Sequence, residues 1–154
     1  MADDTCMALY ADSTFAVSDA IDAVHGTQLN DLGGPGTWFS GAQRVAIAEH
    51  ARAARAEAGL YEPLDSDGQV MAGVLLPEGV VRVAREIAAA PQPLTRAFFE
   101  QALADGLTDA EYVEVVAIVA RVVDYDLFAR RLGVPARPLP EPRGGVPSRE
   151  RPAL

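Results

Sequence analysis

The stretch from Tyr112 to Phe128 constrains the fold most, because it is apolar nearly all round. A helix without a polar face has to be wrapped by other elements. Both of its ends are marked. Thr108-Asp109-Ala110-Glu111 has the Thr-x-x-Glu spacing of a capping box, and Leu107 is placed to staple onto Tyr112. Gly133 supplies a left-handed stop, with Pro135 just beyond it. The spacing predicts a buried helix that runs to about Leu132.

Four more helices are read around it. Ser18 is the expected N-cap of a helix over 19–32, with Ile21, Val24, Leu29 and Leu32 on one face. Gly33-Gly34-Pro35-Gly36 ends it. Ser40 and Gln43 form a second capping box, and the Ala-rich helix that follows runs through residue 58 to Gly59. Its small side chains permit close approach, so it is expected at the centre. Pro77 suits the first turn of a third helix, with Val80, Val83, Ala84 and Ile87 as its apolar stripe; Pro91 and Pro93 stop it. Thr95 opens a short helix to Ala104, with Phe98, Phe99 and Leu103 expected inward, and Gly106 ends it.

No alternating strand pattern and no Asn-Gly hairpin is found, so the fold class is all-α: a compact bundle of about five helices. Residues 1–17 read as an N-terminal arm anchored by Leu9, Tyr10 and Phe15, 18–134 as the helical domain, and 135–154 as a Pro/Arg-rich extended tail, either strap or linker.

Charge and motifs exclude several functions. A net charge of −9 over 154 residues argues against nucleic acid and against anionic membranes as partners. The start, Met1-Ala2-Asp3-Asp4, is acidic rather than signal-like, and no apolar run approaches the roughly 20 residues that span a bilayer, so a cytoplasmic location is expected. All 13 basic residues are Arg, which fits codon bias in a high-GC genome. Cys6 is the one cysteine, and no metal-type Cys/His spacing accompanies it. Asp65-Ser66-Asp67-Gly68 starts like a calcium loop but lacks the later ligands and the closing Glu. Neither a metal nor a cofactor is expected. Glycine-rich phosphate loops and the Gly-x-Ser-x-Gly elbow are absent.

Two segments carry a family resemblance. One runs from Asp19-Ala20 through His25 and Gly34-Pro35-Gly36-Thr37-Trp38 to Arg44-Val45-Ala46-Ile47-Ala48. The other is Leu107 to Val116, continuing to Asp126, Phe128 and Leu132-Gly133-Val134-Pro135. Together they resemble the alkylhydroperoxidase D and carboxymuconolactone decarboxylase superfamily, and within it the peroxidase-related branch, which the tail Pro138 to Pro142 with Gly145, Pro147 and Ser148 also resembles. The resemblance implies an all-α homo-oligomer. In peroxidase members it also implies a Cys-x-x-Cys pair on the helix after the Trp. Here those two places hold Glu57 and Leu60, which form neither thiolate nor disulfide. A thiol peroxidase is therefore not expected. The branch continues past Leu154, so a shortened, split or cleaved protein is an expectation, with the tail reaching toward a second protein chain.

The decarboxylase side of the superfamily uses acid–base groups on a small anionic metabolite. The candidates here are Glu114, His50 and Arg121 for catalysis, and Trp38, His25 and Glu57 for binding a small-molecule ligand. Glu114, Arg121 and Asp124 interrupt an apolar helix near one stripe. Buried charges must be paired, so these form either a clamp to a neighbouring element or another subunit, or a pocket in which Arg121 holds an anion and Glu114 moves a proton. Asp126 joins either set. His50 and Glu57 are seven apart on one face, as an acid–base pair or as a solvated face with Arg52 and Arg55. His25 is either a half-buried packing residue or a wall of the Trp38 pocket. Trp38 and Phe39 either wall that pocket or staple the helix to the core.

Overall fold

The computed structural model describes residues 8–61, 73–90 and 94–151. Among them are five helices and no strand: α1 Asp19–Leu32, α2 Gly41–Glu57, α3 Glu78–Ala89, α4 Arg96–Ala104 and α5 Asp109–Arg131. Cys6 and the Asp65–Gly68 turn lie outside the described residues.

The helix ends follow local chemistry. The Ser18 hydroxyl caps Ile21 N–H. Both halves of the Ser40/Gln43 box and of the Thr108/Glu111 box are formed. Beyond α2 and α5 the chain turns at Gly59 (φ 68°) and Gly133 (φ 73°), a left-handed backbone that glycine adopts without strain. Pro77 stands just before α3, one place earlier than the spacing predicts.

The Ala-rich α2 is central, packing against α1, α3 and α5. Its Ile47, Ala48 and Ala51 meet Val80, Val83 and Ala84 of α3 and Val115, Val119 and Val122 of α5 in the main core. A buried ion pair ties this body together. Arg52 donates to both Asp126 oxygens at 3.0 and 2.7 Å and to the Arg137 carbonyl at 2.8 Å, fastening α2 to α5 and to the chain beyond α5. Asp126 thus belongs to the packing.

Three apolar faces depart from their expected burial. In α1, Leu29 and Leu32 are buried, but Ile21 and Val24 are 42% and 51% exposed, because the helix joins the core through its last turns. In α5, Val113 and Leu127 are 64% and 41% exposed. The helix is apolar on most sides, yet α2, α3 and α4 cover only some of them. In α4, Ala102 takes the inward place, and Leu103 stays partly exposed. The arm is anchored by Tyr10, whose N–H and that of Leu9 donate to the Asp22 carboxylate; Phe15 is exposed.

Beyond α5 the described chain, 135–151, has no regular element and folds back onto the α1–α2 corner. Arg143 N–H donates to Gly33 O at 2.7 Å, Ser148 N–H to Gly36 O at 3.2 Å, and Arg149 N–H to Thr37 O at 2.9 Å. The approach requires glycine: a Cβ on Gly41 would lie 2.1 Å from Gly33 O and 2.8 Å from Arg143 O. This strap borders the Trp38 loop.

Candidate functional site

The turn Pro35–Phe39 sits between α1, α2, α5 and the strap, and two cavities open beside it. The first, about 410 Å³, is lined by Asp31, Gly36, Arg44, Glu114, Arg121 and Ser148 among others. The second, about 580 Å³, is lined by Trp38, Asp109, Val113, Glu150 and Arg151 among others. Thr37, Glu114 and Ala117 border both, so Glu114 stands at the partition.

Glu114 comes from the first turns of α5 and reaches under the Trp loop. Its Oε2 accepts Trp38 N–H at 2.7 Å. Its Oε1 is buried without a hydrogen-bond partner among the described residues, 3.7 Å from Arg44 Nε. Gly36 covers that oxygen so closely that a Cβ there would lie 2.0 Å away. Burial raises the carboxyl above the ordinary glutamate range; the Trp38 amide and the Arg44 charge pull the other way.

The two guanidinium groups are employed differently. Arg44, buried on α2, donates to Asp31 O (3.1 Å), Gly34 O (2.8 Å) and Asp31 Oδ2 (3.2 Å). It pins the end of α1 to the turn. Arg121, one third exposed, makes a single 3.4 Å contact with Asp31 Oδ2 among the described residues. It keeps donors for a ligand.

Glu114, Arg121 and Trp38 are therefore brought to neighbouring cavities, while the other candidates go elsewhere. Asp124 is exposed. His50 and Glu57 lie beside Arg85 of α3 rather than with the expected Arg52 and Arg55, which are engaged by Asp126 and by the Ala88 carbonyl: Glu57 is exposed and ion-paired with Arg85, and His50 is half-buried. Burial, and then the Arg85 charge, lower the His50 pKa. His25 lies against the arm, its Nδ1 2.8 Å from the Tyr10 hydroxyl and its ring against Tyr125 and Phe128. Burial pushes Tyr10 up to about 12, so it remains a phenol able to donate.

Three participants were missed by the sequence reading: Arg44, Asp31 and Arg151. A signal existed for the first, an Arg one turn inside a helix expected to be central. Asp31 and Arg151 are brought in by a chain reversal and by the strap. Among the described residues no group of three or more His, Cys, Asp and Glu is placed to hold a metal, and no helix is long and apolar enough to cross a membrane. No family model, curated protein or solved structure matches this chain.

Proposed function

We propose that this chain is a protein of the alkylhydroperoxidase D and carboxymuconolactone decarboxylase type, without the Cys-x-x-Cys pair, that binds a small organic anion. The anion lies in the Asp31–Arg121 cavity, with Glu114 as the group that moves a proton. The carrying observation is Arg121: a partly exposed guanidinium with donors to spare, lining the same cavity as a carboxyl raised by burial. A guanidinium suits a carboxylate because two N–H groups can meet two oxygens. A carboxyl with a raised pKa exchanges its proton more readily near neutral pH than an ordinary one.

An acid–base role is tested by deuterium exchange. Small carboxylic acids with an acidic C–H are incubated with the protein in D₂O and followed by proton NMR. Exchange should require both Arg121 and Glu114, and be lost in Arg121→Ala and Glu114→Gln. Equal exchange in these variants would overturn the role.

One observation favours a second reading, a non-catalytic or split subunit of the same fold that binds a partner chain. Glu114 spends Oε2 on the Trp38 amide, and Oε1 is closed off by Gly36, as in a structural clamp. Anion binding without exchange would favour that reading. The described part of the tail, however, bonds to its own domain.

A further inference from the structure

The second cavity holds chemistry that the anion reading leaves unused. One wall is the face of Trp38, another is the apolar Ala110 and Val113, and the carboxylates of Asp109 and Glu150 stand at its border. A cation already lies there. Arg151 Cζ is 5.9 Å from the Trp38 ring centroid, and the guanidinium donates to both Asp109 oxygens, at 2.9 and 3.4 Å. Arg149 Cζ lies 5.6 Å from the same ring. An aromatic face with an adjacent carboxylate recognises an organic cation, the ring quadrupole drawing the charge and the carboxylate fixing its direction.

The occupant is supplied in cis and weakly held. Arg151 and Asp109 are 62% and 57% exposed, and exposed ion pairs contribute little. Arg149 has φ 59°, a left-handed conformation that a residue with a Cβ adopts at some cost. The strap nevertheless stays registered, because the Ser148 and Arg149 amides bond to Gly36 and Thr37. It delivers the Arg151 guanidinium to Trp38 as a tethered ligand.

We propose that the Trp38–Asp109 cavity is a binding site for a small alkylguanidinium ligand, and that Arg151 is its built-in competitor. A tethered group competes at an effective concentration in the millimolar range, so removing it raises apparent affinity with no new contact. The proposal does not rest on the anion reading, since Trp38, Asp109 and Arg151 line only the second cavity.

Trp38 is the one tryptophan of the chain, so its fluorescence reports this cavity. The full chain is titrated with n-butylguanidinium chloride at constant ionic strength, with n-butanol as the uncharged control. The Arg149→Ala/Arg151→Ala variant should show a saturable change with affinity about tenfold above wild type. Adding Asp109→Asn should abolish it, and butanol should not reproduce it. All three side chains lie at the surface, and circular dichroism checks that each variant is folded. Equal affinity in wild type and the double variant would overturn the competitor. No saturable change in the folded double variant, or one that survives Asp109→Asn, would overturn the site.

Discussion

The Glu114 carboxylate accepts the backbone N–H of Trp38 at 2.7 Å, joining α5 to a turn 76 residues earlier in the chain. The bond fixes the Trp loop on the helix that also carries Arg121. Gly36 makes it feasible, because Glu114 Oε1 occupies the space a side chain there would need.

Gly36→Ala should therefore destabilise the fold by about 1–3 kcal/mol, the usual cost of overpacking. Glu114→Ala removes the clash together with the clamp. The two changes should be strongly non-additive in a double-mutant cycle read by urea denaturation. Additive losses would show that the two residues are not in contact.

The raised carboxyl of Glu114 gives a signed pH dependence. The folded state keeps a proton there that the unfolded state has released. This contribution therefore weakens as pH rises from the ordinary carboxyl range through the raised value. As pH rises above the ordinary carboxyl range, denaturation midpoints should fall more steeply in wild type than in Glu114→Gln. Parallel profiles would contradict the assignment.

Arg52→Ala should be among the most damaging single changes, costing about 3–5 kcal/mol, because it removes both guanidinium bonds from the buried Asp126 carboxylate. Arg52→Met combined with Asp126→Leu should lose much less by thermal denaturation, since an apolar pair leaves no buried charge.

Peroxide turnover, if present, should not depend on a thiol. Wild type and Cys6→Ala are expected to behave alike in a coupled peroxide assay. A thiol-dependent rate that disappears in the variant would return the chain to peroxidase chemistry.

The helices were legible because their ends are local. Ser18, Ser40, Thr95 and Thr108 cap within three residues of themselves, and their bonds form as their spacing implies. Burial was less legible. The periodicity of Ile21 and Val24, and the all-round apolar run that holds Val113 and Leu127, show which faces are apolar, not which of them another part of this chain covers. The site was half legible. Glu114 and Arg121 stood out as charges in an apolar helix, and Trp38 as an aromatic beside a rigid turn. The pairing of Arg44 with Asp31 depends on the reversal at Gly33–Gly36, and that of Arg151 with Asp109 on a strap crossing 42 residues of sequence. His50 and Glu57 do share a face, but that face turns toward Arg85.

Whether Arg121 and Glu114 form an anion site is read by calorimetric titration with benzoate, in two buffers of different ionisation heat. Saturable binding to wild type is expected, with proton uptake at pH values where the raised Glu114 carboxyl is ionised in the free protein. Affinity should fall at least about tenfold in Arg121→Ala, for the loss of a charge-assisted contact. Proton uptake should vanish in Glu114→Gln. Benzoate binding that is absent from wild type, or unchanged by Arg121→Ala, would contradict the anion site.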